Sequence, residues 1–321
     1  MQKPIVVVGS INLDLVVGAD RIPQVGETII GNDFNIFHGG KGANQAVAAA
    51  KLAYPVSMVG NVGSDAFGAQ LRKGLDDAGV DTTCVNTVEG PSGVALITTG
   101  RGGENNIVLV PGANAHLTPK LIEKATTLLE RAGFLLAQLE IPLETVEYLA
   151  DFAERHKIPL MLDPAPAREL SAALLRRLTW ITPNETETQA LLKANIENGD
   201  QGYYAAAAHL LACGVKNVLL KLGPRGCFIA EGNQPKERVP AFSVDAVDTT
   251  AAGDAFNAGF AVALMRGSSV ARSALFASAV AAISVTRHGA QPSMPTLAEV
   301  KAFLEERLGS EGPLSALEKK I

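Results

Sequence analysis

The sequence predicts an α/β protein whose core is a largely parallel β-sheet. Short apolar runs alternate with amphipathic stretches of helical period along most of the 321 residues, which is the pattern of successive strand–helix–strand units. Each apolar run ends at polar, proline or glycine residues, as strands do where they leave a sheet. The chain is long enough to bury a sizeable core in one large domain or two ordinary ones.

Five apolar runs are predicted to be strands. They are residues 5–8, 134–139, 159–162, 180–182 and 218–222. Open α/β sheets bind ligands beyond the carboxyl ends of their parallel strands. The polar or glycine residues after the last four runs are therefore expected near one rim, the candidate active site: Glu140, Asp163, Asn184 and Gly223.

Residues 64–78 are predicted to form a helix that packs one face on the sheet. Phe67, Leu71 and Leu75 are spaced one turn apart, with Ser64 as the predicted N-cap and Gly79 as the stop signal.

Two segments, 13–37 and 93–110, break the alternation of strands and helices. In the second, residues 94–98 and 107–110 form a hairpin-like pair around glycines 100, 102 and 103. Both segments are predicted to be added strands without helices, and an ordinary surface hairpin is the alternative. Residues 309–321 are predicted to be a linker and a short polar tail.

The segment from Asp248 to Asp254 places small residues and a carboxylate at a predicted helix start. N–H groups at a helix N-terminus carry partial positive charge, and Ala251, Ala252 and Gly253 have almost no side chain to keep a phosphate away. Asp254 beside such a phosphate is placed to accept the proton of an attacking hydroxyl. The alternative is that Asp254 only caps the helix.

A second glycine-rich run, residues 39–46, also leads into an alanine-rich helical stretch. Its glycines let the backbone approach a ligand closely, Asn44 suits a polyol, and Lys41 offers a mobile cation. A simple turn is the alternative. The run lacks the Gly-Lys-Ser/Thr of the phosphate loop, and residues 9–12 lack the dinucleotide glycine pattern, which disfavours a nicotinamide-dependent oxidoreductase.

Composition narrows the classes of partner and compartment. The net charge is −5 and no Lys/Arg block forms a basic stripe, so small molecules are expected as partners, and nucleic acid is not. The three cysteines are scattered, as expected for thiols in a reducing cytoplasm. The chain shows no long apolar segment, so neither a signal peptide nor a membrane span is expected.

Taken together, these segments resemble the ribokinase-like (PfkB-type) carbohydrate kinases, from one end of the chain to about residue 308. The resemblance is carried by residues 8–14, 39–44, 138–140, 182–187, 248–254 and 286–293. It implies a three-layer α/β sandwich around a mostly parallel sheet, with 1–308 as the kinase domain. It also implies a small β-sheet lid from insertions at about 13–37 and 93–110, and a homodimer formed through that lid.

The resemblance implies roles for the two glycine-rich sites. Asp254 would be the general base, and the N–H groups of Ala251, Ala252, Gly253 and Asp254 the anion hole for the transferring phosphate. The expected sugar-binding residues are Asn12, Asp14, Gly40, Lys41, Gly42, Ala43, Asn44, Glu140 and Asp254. The alternative is that Asn12 and Asp14 cap the turn after the first strand and that Glu140 is a surface carboxylate.

For ATP, the resemblance implies a set of nucleotide-binding residues. They are Asn184, Glu187, Lys221, Gly223, Pro224, Arg225, Gly226, Gly253, Asp254 and Ser278. Glu187 would act on Mg²⁺ through bound water, although Asn184 and Glu187 also suit a capping box, and both interpretations can hold. Lys221 departs from the Thr familiar in the family, and Ser278 from a His or Asn.

A last set is expected to bind K⁺ as an activating cation, mainly through backbone carbonyls. It consists of Asp248, Thr250, Ser284, Arg287, Gly289 and Ser293.

The activity that the resemblance implies is transfer of phosphate from ATP to the 5-hydroxyl of D-ribose, giving ribose 5-phosphate and ADP. Deoxyribose, another pentose or ketose, and a nucleoside are the alternative substrates. Aromatic content of 5% disfavours nucleosides, and Arg101 is the one cation of the hairpin stretch, which disfavours a phosphorylated sugar. A non-catalytic sugar-binding regulator is the alternative of another class.

Overall fold

The computed structural model describes residues 2–102, 104–197, 199–232 and 237–309. Its main element is a nine-stranded sheet, and a separate four-stranded sheet forms the lid. The main sheet contains β1 (Ile5–Val8), β4 (Val56–Gly63), β5 (Asp81–Val88), β8 (Phe134–Ala137), β9 (Leu160–Leu162), β10 (Trp180–Ile181), β11 (Asn217–Lys221), β12 (Cys227–Glu231) and β13 (Glu237–Val239). The lid contains β2 (Asn12–Gly18), β3 (Asp33–Gly39), β6 (Gly93–Thr99) and β7 (Asn105–Val110).

The strand order of the main sheet is β13-β12-β11-β10-β9-β8-β1-β4-β5. All pairings from β11 to β5 are parallel, and only β12 runs antiparallel to its neighbours. The order reverses at β1, because β4 and β5 add on one side and β8 to β11 on the other. Ligands of such sheets bind at this reversal, outside the carboxyl ends of the strands.

Helices cover both faces of the sheet, which confirms the predicted three-layer architecture. They are α1 (Lys41–Lys51), α2 (Ala66–Asp77), α3 (Pro119–Glu123), α4 (Thr126–Arg131), α5 (Leu143–His156), α6 (Ala172–Arg177), α7 (Glu185–Leu192), α8 (Asp200–Ala212), α9 (Ala252–Met265), α10 (Val270–Ser284) and α11 (Leu297–Leu308). Alternate residues of β1 enter two separate cores: Ile5 and Val7 pack with α1, α2 and α9 to α11, whereas Val6 and Val8 pack with α3 to α8. No helix in the described residues is long and apolar enough to span a membrane.

The lid sheet is formed by the two segments that broke the sequence pattern. Strand β2 pairs with β3 and β6, and β6 pairs with β7 as the predicted hairpin. Asn12 and Asp14 therefore lie within a lid strand, and the alternative that they cap a turn is wrong. Because side chains alternate along a strand, the face that carries them is opposite the face that carries Leu15 and Leu96.

The predicted helix over 64–78 forms, but its N-cap is Asp65 and not Ser64. The Asp65 carboxylate accepts a hydrogen bond from the Gly68 N–H at 2.9 Å and one from the Ser92 hydroxyl at 2.6 Å. A carboxylate is the stronger acceptor, and Ser92 fixes it in place. The stop at Gly79 is confirmed, with a φ of 84° that suits glycine.

Other strands agree with the predictions within two residues at each end. Strands β4, β5, β12 and β13 have no counterpart among the predictions. Glycines at 60 and 63 reduce the apolar character of β4, so the sequence pattern does not predict it as a strand. Of the predicted tail, residues 310–321 lie outside the described residues.

Candidate active site

The carboxyl ends of five neighbouring parallel strands carry the polar residues of one site. Ser10 follows β1, Glu140 follows β8, Asp163 follows β9, Asn184 follows β10, and Lys221 ends β11. The predicted rim is therefore present, and it begins at the point where the strand order reverses. Helices α1 and α9 add residues from above this rim, and the lid adds Asn12 and Asp14.

Asp254 lies in the first turn of α9 and is 4% exposed. Its two carboxylate oxygens accept hydrogen bonds from α1: Oδ2 from Asn44 Nδ2 at 3.0 Å and Oδ1 from Gln45 Nε2 at 3.1 Å. The N-cap of α9 is Ala251, with no side-chain cap. Asp254 is therefore not a helix cap, because its carboxylate is held by another helix and not by the N–H groups of its own.

Burial and neighbouring charges adjust the basicity of Asp254. Burial raises the pKa of this carboxyl to about 6, with the Asp163 carboxylate adding to the effect and Lys41 and the two amide donors opposing it. At neutral pH the group is ionised yet more basic than an ordinary aspartate. This is the range that general-base catalysis requires.

Backbone N–H groups beside Asp254 are free to bind an anion. Within the described chain, the N–H groups of Ala251, Gly253 and Asp254 have no hydrogen-bond partner, whereas that of Ala252 donates to Thr249 O at 3.2 Å. Ala251 has a φ of 58°, a left-handed conformation that costs a non-glycine residue about 1 kcal/mol or more. The N-terminus of α9 therefore begins at a strained residue and presents backbone donors that no side chain caps.

A second polar cluster lies at the crossing of β1, β8 and the lid. Glu140 Oε2 accepts hydrogen bonds from Ser10 Oγ at 2.6 Å, from the Lys41 N–H at 3.2 Å and from Asn12 Nδ2 at 3.4 Å. Asn12 Oδ1 accepts from Asn114 Nδ2 at 2.7 Å. Because Asn114 occupies that oxygen, the Asn12 amide nitrogen is turned to the Glu140 side, where it can donate to a ligand hydroxyl.

Asp14 lies beside this cluster and is 8% exposed. Burial raises the pKa of Asp14 to about 7, with the carboxylates of Glu140 and Asp254 contributing to the rise and the charge of Lys41 opposing it. Three carboxylates that share one small volume repel each other. A polyol would relieve this repulsion by donating its hydroxyl protons to them.

The glycines of α1 are required by close contacts with the strand below. A Cβ on Gly42 would lie 2.7 Å from the carbonyl carbon of Gly9, and Gly40 has a φ of 86°. The Ala43 N–H donates to Ser10 O at 2.9 Å, which fixes the start of the helix on β1. This packing sets the position of Asn44, whose buried Oδ1 has no partner among the described residues. That oxygen is a free acceptor inside the site.

Lys41 is the cation at the centre of the site. Burial lowers the pKa of its ammonium group, but the surrounding carboxylates outweigh burial and hold the pKa above its ordinary value. Those carboxylates are Asp254, Asp163, Glu140 and Glu187. Lys41 therefore stays protonated.

On the nucleotide side, Asn184 and Glu187 form the capping box of α7. Glu187 Oε2 accepts from the Asn184 N–H at 2.8 Å, and Asn184 Oδ1 accepts from the Glu187 N–H at 2.8 Å. Burial raises the pKa of Glu187, with Asp163 adding to the effect and Lys221 opposing it. The charges of Asp163 and Lys221 thus act on Glu187. The capping box is present, and the role of Glu187 at a nucleotide stays a prediction.

The predicted nucleotide loop is an exposed turn over Gly223–Arg225 that follows β11. Pro224 is exposed, and Gly226 has a φ of 89° that closes the turn. Arg225 forms an ion pair with Glu185 and lies 5.8 Å from the Tyr203 ring centroid. The Arg225 guanidinium therefore interacts with Glu185 and Tyr203 and not with Asp254.

Ser278 is buried in α10, and its hydroxyl has no partner in the part of the chain described.

The residues present fit a magnesium ion held mainly by nucleotide phosphates. No group of three or more His, Cys, Asp or Glu side chains in the described residues could hold a metal. Mg²⁺ commonly takes one or two carboxylates, water and substrate phosphates. The Glu187 carboxylate beside Asp163 meets that requirement.

The residues expected to bind a monovalent cation are partly brought together. Asp248 Oδ1 accepts from the Thr250 N–H at 2.9 Å and Oδ2 from the Gly289 N–H at 2.8 Å. The hydroxyls of Ser284 and Ser293 donate to Ala281 O and Ala290 O, and Arg287 pairs with Glu299. Asp248 thus ties the loop before α9 to the loop after α10. The Arg287 side chain points into a separate ion pair, so only its carbonyl suits a cation.

Several residues of this site had no assigned role in the sequence analysis. Gln45, Gln138 and Ser10 lie inside or next to the quoted segments and could have been found from them. Gln138 Nε2 donates to Gln45 Oε1 at 2.7 Å, which orients the amide that holds Asp254. Asn114 lies in a short turn after β7, and nothing in its local sequence marks it.

A cavity of about 380 Å³ lies elsewhere, between α6, α7 and α8. It shares no lining residue with the site at Asp254. The residues around Asp254 therefore do not belong to this cavity.

The chain was compared with known families and structures. Residues 2–297 match the model of the pfkB family carbohydrate kinases. The ribokinase of Haemophilus influenzae is 40% identical over 306 residues, which are 95% of this chain and 99% of that protein. The deoxyribokinase of Salmonella typhi is 38% identical over 302 residues, 94% of this chain and 98% of that protein.

A solved structure extends the similarity to three dimensions. The structure of Arabidopsis thaliana ribokinase complexed with ribose and ATP has a TM-score of 0.89 and 35% sequence identity, covering 95% of this chain and 99% of that one.

Proposed function

Because the chain belongs to the PfkB family of carbohydrate kinases, we propose that it transfers the γ-phosphate of ATP to the 5-hydroxyl of D-ribose. The products are ribose 5-phosphate and ADP. The observation that carries the proposal is the buried Asp254 carboxylate, held by Asn44 and Gln45 beside the free N–H groups of α9.

In the proposed reaction Asp254 accepts the proton of the sugar hydroxyl as its oxygen attacks the γ-phosphorus. The N–H groups of Gly253 and Asp254 bind the phosphate oxygens that gain charge. Such pre-aligned donors stabilise a transition state because they need no reorganisation during the reaction. Phosphoryl transfer needs little else from a protein, since alignment and charge neutralisation dominate it.

Ribose is favoured by the polar cluster around Glu140. Asn12 offers a donor, and Glu140 and Asp14 offer acceptors, so hydroxyl groups that both donate and accept complete the cluster. A sugar that lacks one hydroxyl leaves one of these buried groups unpaired, which sites of this kind reject strongly. The H. influenzae and S. typhi relatives act on ribose and deoxyribose by name, so the choice between the two sugars rests on this cluster.

ATP, Mg²⁺ and K⁺ are the proposed cofactors. Asn184 and the turn at 223–226 lie on the nucleotide side, and Glu187 would hold Mg²⁺ through water. Bound Mg²⁺ supplies charge neutralisation on the phosphates. The proposed K⁺ site is formed by backbone carbonyls around Asp248, Gly289 and Ser293, and the hydrogen bonds of Asp248 support it.

We propose a homodimer formed through the outer face of the lid, the face opposite Asn12 and Asp14. This face carries exposed apolar side chains on all four lid strands: Val17, Phe34, Ile36, Leu96, Val108 and Val110. The register places Leu96 opposite Val108 and Val17 opposite Phe34, which makes the patch continuous. A second copy suits it, because a contiguous apolar patch on a sheet face marks an interaction surface.

The proposed compartment is the cytoplasm, because Cys84, Cys213 and Cys227 are all free thiols.

The experiment that tests the function measures ADP release from Mg-ATP in the presence of K⁺. D-ribose, 2-deoxyribose, arabinose, fructose, fructose 1-phosphate and adenosine are compared, with Asp254→Asn alongside. Ribose-dependent release that the variant loses is the expected result. Release with a different substrate only would replace ribose, and sugar binding without any release would favour the non-catalytic regulator.

A further inference from the structure

Lys221 places a positive charge against the start of α9. A Cβ on Gly253 would lie 3.4 Å from the Lys221 ammonium nitrogen, which puts this group beside the free N–H donors. The same nitrogen lies 2.8 Å from Asp163 Oδ1, and the two side chains are 12% and 3% exposed. The ammonium group is thus part of the surface on which a phosphate would lie.

This position is unfavourable for a cation in the absence of an anion. The N-terminus of a helix carries partial positive charge and repels a second positive group. Burial also disfavours a charged ammonium, and a buried ion pair contributes little net stability over apolar residues of similar size. The pair between Lys221 and Asp163 is therefore poorly explained by folding stability. A bound anion next to Gly253 would attract both the ammonium group and the helix N-terminus, and this attraction would offset their mutual repulsion and the cost of burial.

We propose that Lys221 is a catalytic residue that neutralises the transferring phosphoryl group, and that Asp163 is the positioning residue that holds it there. This inference rests on the proposed kinase activity. In the reaction the sugar oxygen forms a bond to the γ-phosphorus while the bond from that phosphorus to the β–γ bridging oxygen breaks. The electron pair leaves with ADP, and the hydroxyl proton goes to Asp254.

Asp163 connects the cation to the base. Its Oδ2 accepts from Gln45 Nε2 at 3.3 Å, and the same nitrogen donates to Asp254 Oδ1 at 3.1 Å. The separation between the Lys221 ammonium and the Asp254 carboxylate is therefore fixed through one amide.

The test compares Lys221→Met, Lys221→Arg and the double variant Asp163→Asn/Lys221→Met with wild type. The control is Lys216→Met, which alters an exposed lysine just before the same strand. Turnover is measured at saturating Mg-ATP and sugar, and KM for the sugar is measured alongside. Equilibrium binding of ADP and of a non-hydrolysable ATP analogue is measured by calorimetry.

Lys221→Met is expected to lower kcat about 10²-fold, as loss of one transition-state donor does, with KM for the sugar changed less than about threefold. It is also expected to weaken binding of the ATP analogue about tenfold more than binding of ADP, because only the analogue carries the γ-phosphate. Lys221→Arg is expected to retain part of the turnover and part of the affinity for the analogue. The double variant leaves no unpaired buried carboxylate, and it is expected to stay as slow as the single variant.

Recovery of turnover in the double variant would show that the pair is structural and would overturn the proposal. Equal loss of affinity for ADP and the ATP analogue would also overturn it. The binding measurement stands on its own if no tested sugar supports turnover, and in that case the proposed substrate fails while the role of Lys221 is still decided.

Discussion

The start of α9 and the lid sheet contribute residues to the same site, but α9 is buried in the core whereas much of the lid sheet is exposed. Every residue from Asp254 to Ala263 is buried, and α9 packs between α1 and α10. In the lid, Phe34 is 58% and Val108 60% exposed, and the sheet has far fewer contacts with the helices than α9 has. This difference matches the proposed roles: the proposed base and its neighbouring N–H donors are fixed in the core, whereas the proposed sugar-binding residues Asn12 and Asp14 lie on an element with few contacts.

This division has a physical reason. A general base must be held in a constant position and in a dry environment, which only the core provides. A sugar must enter and leave, and elements with low contact density open at little cost in free energy. Substitutions at α9 are therefore expected to change turnover, and substitutions on the lid to change binding and assembly.

The largest effect is expected for Asp254→Asn. Turnover should fall by about 10²–10⁴-fold because no base remains to accept the hydroxyl proton, while sugar affinity changes only a few-fold. Steady-state kinetics and calorimetric sugar binding measure the two quantities. The control is Asp245→Asn, which makes the same change at an exposed residue before α9. A variant at position 254 that kept most of its turnover would contradict the assignment of the base.

The pH dependence of turnover gives the next effect. Since burial raises the pKa of Asp254 to about 6, the base becomes protonated as pH falls through that value. kcat at saturating sugar should then fall about tenfold per pH unit. Asp254→Asn should show no such limb in its residual activity. An equally steep limb in that variant would assign the titration to another group.

Asp14→Asn should have opposite effects on the stability of the protein and on its affinity for the sugar. Because the pKa of Asp14 is raised to about 7, the folded protein binds this proton more tightly than the unfolded chain does. Asp14 thus favours folding below about pH 4, and this contribution is lost as pH rises through 7. Above pH 7 the charged carboxylate is destabilising, so the variant should gain roughly 1 to 4 kcal/mol of unfolding free energy at pH 8 and bind sugar more weakly.

Denaturant unfolding at pH 4 and pH 8 measures this gain, and Asp33→Asn at an exposed position of the same sheet is the control. A gain of equal size at both pH values would contradict the role of the buried charge.

The smallest effect on turnover is expected from the outer face of the lid. Val108→Lys places a charge in the apolar patch and should convert the proposed dimer to a monomer, with turnover at saturating sugar changed less than about threefold. Asn106→Lys is the matched control, because it lies two residues away on the same face of β7 and is already polar and exposed. Light scattering after size-exclusion chromatography reports the mass, and a Val108→Lys protein that kept the dimer mass would exclude this face.

Particular elements show why the sequence predicted some features and missed others. Asp254 was identified because small residues, a carboxylate and an apolar helix follow each other within a few positions. The N-cap of α2 was misassigned by one residue because Ser64 and Asp65 are both good caps, and only the distant Ser92 selects Asp65. Strand β4 was missed because its glycines, which accept close contacts from Gly9 and Ser92, dilute the apolar signal.

The sequence by itself determined the α/β class, the two segments of the small sheet and the candidate base Asp254, because each depends on local pattern or on a short run of residues. The tertiary structure decided what surrounds the base. Gln45 and Asp254 are separated by 209 positions, Asp163 and Lys221 by 58, and Asn12 and Asn114 by 102. Contacts between such distant residues depend on strand order and helix packing. The ion pair beside Gly253 therefore depends on the tertiary structure, which brings the ends of β9 and β11 and the start of α9 together.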